Sequence, residues 1–172
     1  MEKINKFLKS KTARNLLGLF AILALFSGCT PTTPAPAGSG TTPTPTLGTP
    51  TVTELMNKTW TVTIVKEDAT TVYTKGDGSS IRMGYVDFQL NLSSLTSAKL
   101  TAVDGRTFTG TWSISADTKT LTLLGLTPEP TGTGGTIAYE INSITDTALK
   151  LTRNSSNRKT GAAKTEYELT NK

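Results

Sequence analysis

The chain has 172 residues, with 18 lysines and arginines against 13 acids, no histidine and one cysteine. The missing histidine excludes His-bearing zinc sites, Ser-His-Asp and Cys-His triads and an imidazole base near neutral pH, and a single cysteine excludes an internal disulfide. Most of the net charge of +5 sits in the first 28 residues, where Lys3, Lys6, Lys9, Lys11 and Arg14 face only Glu2; the +1 that remains is too little for a nucleic-acid partner.

In chain order, residues 1–28 read as a signal segment. A charged stretch to Asn15 precedes an apolar run from Leu16 to Phe26. The run is too short for the ~20 residues that span a bilayer and matches a signal-peptide core. Ser27 and Gly28 are small, as a peptidase that grips extended backbone requires, and Cys29 offers a thiol for diacylglycerol transfer. The segment resembles the bacterial lipobox, Leu-(Ala/Ser)-(Gly/Ala)-Cys, with Phe26 where a branched aliphatic is commoner. The resemblance implies cleavage between Gly28 and Cys29 and lipid attachment at Cys29. Acyl chains such as palmitate, at ~0.8 kcal/mol per buried CH₂, would then hold the protein to a membrane permanently. An ordinary signal peptide with a chance cysteine, or an uncleaved anchor helix, is the alternative.

Residues 29–50 follow as a Thr/Pro-rich linker with six prolines and almost no apolar side chains. Such a stretch cannot bury a core and is expected to stay extended, reaching roughly 60 Å if polyproline-like. No acidic cluster follows Cys29, and Thr30 stands at the second mature position. By resemblance to bacterial sorting rules, this implies a lipid-anchored protein of the cell envelope, at the outer membrane and facing the periplasm.

Residues 51–172 read almost entirely as β. A short helical turn is expected over Val52 to Asn57. Strands are expected over Trp60–Ile64, Thr70–Lys75, Val86–Leu92, Lys99–Val103, Arg106–Ile114, Lys119–Leu124, Thr136–Ile144, Ala148–Arg153 and Lys164–Thr170, with threonine abundant and alternation of apolar residues frequent. Asp104-Gly105 is the strongest hairpin signal, since both residue types accept positive φ. No crossover helix separates the strands, so they are antiparallel and up-and-down. The fold class is all-β: a small barrel of about eight strands, whose closure removes the edges a single open sheet would leave, with a two-sheet sandwich as the alternative. The outward positions carry Thr, Asp, Gln, Asn, Glu and Lys, so no lipid-facing band is expected.

Thr59-Trp60-Thr61-Val62, Gly110-Thr111-Trp112-Ser113-Ile114, Thr120-Leu121-Thr122-Leu123 and the run from Tyr139 to Leu151 together resemble the lipocalin-like domains of Bacteroidota lipoproteins. The resemblance covers nearly all of residues 55 to 170 and implies the barrel more than an activity. Lys58 stands where lipocalins often carry glycine.

Trp60, Phe88, Phe108, Trp112, Tyr139 and Tyr167 fall on inward positions. They line a cavity for a small apolar ligand, or they fill the core, as an eight-stranded barrel can be filled by its own side chains. Arg153, Arg158, Lys159 and Lys164 surround a polar turn, expected to be a solvated tip or a contact for anionic headgroups. Gly132-Thr-Gly134-Gly135 lacks the Lys-Ser/Thr ending of a phosphate loop, and Lys75–Ser80 has one carboxylate, too few for calcium. Asp146-Thr147-Ala148 resembles the Asp-Ser/Thr-apolar O-glycosylation pattern of Bacteroidota, falling on Thr147; a tight turn is the alternative. No catalytic residues, metal site or cofactor is expected; a non-enzymatic role is expected, with an enzyme the last of three readings. The expected partners are the membrane through lipidated Cys29 and a small apolar ligand or envelope protein. A structural lipoprotein with a filled barrel is the rival reading.

Overall fold

A computed structural model describes residues 48–171. The expected signal segment, Cys29 and the linker as far as residue 47 lie outside the described residues.

Thr51 opens α1 (Val52–Met56) with a capping box: its hydroxyl accepts from the Glu54 N–H, and the Glu54 carboxylate accepts from the Thr51 N–H at 2.7 Å. A threonine three residues before a glutamate is the sequence form of this device. The nine strands that follow are β1 (Thr59–Glu67), β2 (Thr70–Thr74), β3 (Gln89–Asn91), β4 (Ala98–Thr101), β5 (Thr107–Ile114), β6 (Thr120–Thr127), β7 (Ile137–Ile144), β8 (Ala148–Arg153) and β9 (Thr165–Asn171). All pairings are antiparallel. One edge of β1 pairs with β9. The other is shared: β2 takes Ile64–Glu67 and β3 takes Thr59–Thr61. The ring β1-β3-β4-β5-β6-β7-β8-β9 therefore closes as an eight-stranded barrel, with β2 as a flap on its upper wall. This is the barrel expected from the sequence, and the sandwich alternative falls away. The far edge of β2 is covered, since Arg82 N–H donates to the Val72 carbonyl at 2.9 Å and Thr74 N–H to the Ser80 hydroxyl at 3.1 Å.

Two local expectations differ from the structure. Val86-Asp87-Phe88 does not start a strand: Met83–Asp87 is a 3-10 helix and only Gln89–Asn91 pairs. The cause lies in Gly84, where a Cβ would stand 2.2 Å from the Val103 carbonyl oxygen. The chain crosses hard against the β4–β5 turn there, which throws Val86 outward while Phe88, Leu90 and Leu92 stay buried. At Asp104-Gly105 only the glycine has positive φ, +74°, in a four-residue turn over Ala102–Gly105. The turn with two positive φ values is instead Asp68-Ala69, at 46° and 73°. Asp68 is held by accepting from the Ala163 and Lys164 N–H groups.

The strand register sorts the inward side chains of β1, β9 and β8 into rows. Val62, Leu169 and Leu149 form the lowest, then Val65, Tyr167 and Leu151, then Glu67, Thr165 and Arg153. All nine are buried. The lower end is shut by α1 and the 145–147 turn, tied together by the Lys58–Asp146 ion pair. The upper end, the mouth, is ringed by the Asp68-Ala69 and Ala102–Gly105 turns, the 3-10 helix, and the 128–136 and 154–164 loops.

Candidate binding site at the barrel mouth

Five aromatic rings meet under the mouth. Tyr167 stacks on Phe88 with centroids 4.9 Å apart and meets Tyr139 and Tyr85 edge-on at 5.9 and 6.3 Å. With Phe108 they floor a cavity of about 30 Å³. Arg153, Asn157, Lys159, Pro130 and Thr133 line its upper part. The ammonium of Lys159 lies 4.9 Å from the centroid of the Phe108 ring and is ion-paired with Asp104. That pairing links the 154–164 loop to the β4–β5 turn across the mouth.

Burial pushes the Tyr85 and Tyr139 phenols well above their ordinary value, with the neighbouring Tyr167 adding to both. Burial also pushes Tyr167 up to about 12, against the opposing pull of Arg153. Burial works against ionisation of Asp104, yet the hydrogen bonds from Lys159 and the Arg106 N–H outweigh it and hold the carboxyl below the ordinary carboxylate value.

A profile described as a lipocalin-like domain matches residues 48–151. The chain belongs to the lipocalin-like domain family. No curated protein matches it. Among solved structures, it is similar to a lipocalin-like protein from Bacteroides uniformis at 16% identity and a TM-score of 0.42, covering 67% of this chain and 96% of that one. It is also similar to a protein from Bacteroides eggerthii at 13% identity and a TM-score of 0.41, covering 67% and 98%. The profile match ends before Arg153, Lys159 and Tyr167, so the part of the mouth contributed by the end of β8, the following loop and β9 lies beyond it.

Within this lipocalin-like domain the six residues singled out from the sequence fall into two groups. Phe88, Phe108, Tyr139 and Tyr167 line the mouth cavity. Trp60 and Trp112 do not; they sit at the shut end, where each indole N–H donates to a backbone carbonyl, of Met56 at 3.0 Å and of Ser94 at 2.7 Å. Thr147 is exposed on the β7–β8 turn, with its backbone carbonyl accepting from the Thr170 hydroxyl. Gly28 and Cys29 lie outside the described residues. Among the described residues no group of three or more metal-ligating side chains occurs, and no helix is long and apolar enough to cross a membrane.

Two residues of the mouth, Tyr85 and Glu67, are absent from that sequence reading, and a third, Arg153, was placed differently by it. Tyr85 was hidden by the assignment of its neighbours to a strand. Glu67 is buried: it accepts from the Tyr85 hydroxyl at 2.7 Å through Oε1 and pairs with Arg82 at 2.9 Å through Oε2. With both oxygens engaged it is a satisfied ion pair rather than a free acid or base. Arg153 is buried as well, not solvated at a hairpin tip, while Arg158 and Lys164 are exposed. A signal for it existed. It continues the period of two set by Leu149 and Leu151, which places it on the inward face.

Proposed function

We propose that this chain is a lipid-anchored envelope lipoprotein, held through Cys29 at the outer membrane on its periplasmic side, whose lipocalin-like domain is a non-enzymatic binding module. The ligand is taken end-on at the mouth rather than enclosed. The supporting observation is the cavity itself: aromatic, rimmed by polar groups, and placed where a barrel opens. Its volume of about 30 Å³ is far below the ~300–1,000 Å³ of sites that swallow a ligand. The small apolar ligand expected from the sequence is thereby narrowed to one that inserts only its end.

The same small volume favours a second reading, a filled barrel with a structural role and no ligand. Native mass spectrometry of the full chain, extracted from its host in mild detergent, separates the two. A bound non-protein mass is expected; protein that is repeatedly empty overturns the binding reading. For the anchor, Cys29→Ala is expected to move the protein from the membrane to the soluble fraction. Processed Cys29→Ala protein that still sediments with membranes overturns the lipoprotein assignment. Protease added to intact cells is expected to leave the protein uncut, as a periplasmic location requires.

A further inference from the structure

We propose that Arg153 anchors an anionic end group and that the mouth accepts an amphipathic monocarboxylate head first, an inference that rests on the mouth being the binding site. Arg153 is 8% exposed, and an isolated buried cation costs several kcal/mol unless it is paired. Its Nε donates to the Ser155 hydroxyl at 2.9 Å and Nη2 to the Ser156 carbonyl at 3.3 Å. These are two of the five N–H groups a guanidinium carries, and both acceptors are neutral. Among the described residues no carboxylate lies within ion-pair distance of it.

The acid in the same inward row is Glu67, two strands away, and Arg82 and Tyr85 already occupy it; Glu140 and Glu166 pair with Thr152 on the adjacent strands. Lys159 is committed to Asp104 and to the Phe108 ring. Both cations line the cavity and no acid does. The site therefore has an unmatched positive charge on its wall. Thr165, paired with Arg153 in the same inward row, adds a buried hydroxyl with no hydrogen-bond partner among the described residues.

Size selects the anion. A cavity needs roughly 10–15 Å³ of such volume to hold one water. The cavity's about 30 Å³ therefore suits the two oxygens of a carboxylate, which a planar guanidinium can receive with two parallel hydrogen bonds. The rest of the ligand must stay above the head, where Ala102, Val103 and Pro130 add apolar surface beside the polar groups of the rim. An apolar body on a carboxylate head follows.

The test uses the full chain in detergent, with hexanoate and its uncharged counterpart hexanamide as probes, titrated calorimetrically. Hexanoate is expected to bind at least tenfold more tightly than hexanamide. Arg153→Gln is expected to abolish that preference, and Arg153→Lys to retain part of it, since charge survives but the planar fork does not. Should Arg153→Gln fail to fold, by circular dichroism, the hexanoate–hexanamide ratio of the unaltered protein decides alone. Equal affinities for the two probes, or a preference that survives in folded Arg153→Gln, overturn the anchor while leaving end-on binding at the mouth intact. Failure of both probes to bind overturns the monocarboxylate assignment; whether the mouth binds anything is then decided by the mass of ligand carried from the host.

Discussion

The two ends of the barrel use aromatic side chains in opposite ways. At the shut end, Trp60 and Trp112 are packed among Met56, Leu90, Leu92 and Leu123, and each indole N–H finds a backbone carbonyl a short way off. Both indole donors are spent, and among the described residues the buried atom left without a partner there is the Asn57 Oδ1 at the C-cap of α1. At the mouth, tyrosines replace tryptophans, one hydroxyl is spent on Glu67, the buried Thr165 hydroxyl has no partner among the described residues, and a guanidinium lines a small void. An apolar core whose donors are paired is a stability device, whereas a buried cation with spare donors costs stability and is a place for a partner. The difference teaches that counting inward aromatics does not locate a site in a barrel; the polar atoms they carry, and what those atoms touch, do.

Four perturbations break or sharpen this contrast. Alkali should have the largest effect. Tyr85, Tyr139 and Tyr167 all lie at the mouth, and burial raises all three above the ordinary value of 10.0. A phenol whose folded pKa is raised contributes stability that is fully present below the unfolded pKa and is lost as pH climbs through the folded one. Stability is thus expected to hold to about pH 10 and then fall, with unfolding as the phenols ionise. Phenolate absorbance and indole emission followed together check this. Trp60 and Trp112 sit at the other end, so coincident curves mean the two ends open as one, and the absence of any loss above pH 10 contradicts the burial of the phenols.

Trp60→Ala empties the shut end and removes the hydrogen bond to Met56. It should cost about 3–5 kcal/mol in denaturant unfolding, and a loss below about 1 kcal/mol would mean that this end is not the packed one. Tyr85→Phe strikes the mouth instead. It leaves Glu67 Oε1 without its donor at a cost of about 1–3 kcal/mol, with the shut-end indole emission unchanged in the native state. Smallest is Ala69→Gly, in a turn where the alanine holds φ at 73°. Left-handed backbone costs a non-glycine residue roughly 1–2 kcal/mol, part of which glycine gives back as unfolded-state entropy. A net gain of about 0.5–1 kcal/mol is expected, visible as a higher unfolding midpoint with no change in ligand binding.

Much of this architecture was legible from alternation alone. Ile137 and Tyr139, Leu149 and Leu151, and Tyr167 and Leu169 all point inward where a period of two puts them. Period-two patterning is a property of the strand backbone, so a local stretch of sequence suffices to read it. The helical turn was legible for a similar reason, since the Thr51–Glu54 box closes over three residues. Val86 failed the same test. What displaces it is the Val103 carbonyl pressing on Gly84, nineteen residues away in sequence. No local pattern reports that approach.

By itself, then, the sequence determined a strand-rich chain whose half-polar, alternating stretches must close on themselves to bury one face and leave no edge. It also determined what chemistry is missing, because a chain without histidine and with a single cysteine cannot acquire others by folding. Only the tertiary structure decided which end of the barrel is shut and which is open. The Trp60 and Trp112 positions carry the same inward parity as Tyr139 and Tyr167, and parity says nothing of depth along the axis. The fates of Glu67 and Arg153 were tertiary decisions too. One is buried and neutralised by Arg82 and Tyr85, fifteen and eighteen residues away, and the other, on the same inward row, is buried with no carboxylate beside it. Charge pairing acts through space over a few ångströms, so neighbours distant in sequence set it, and they meet only when the barrel closes.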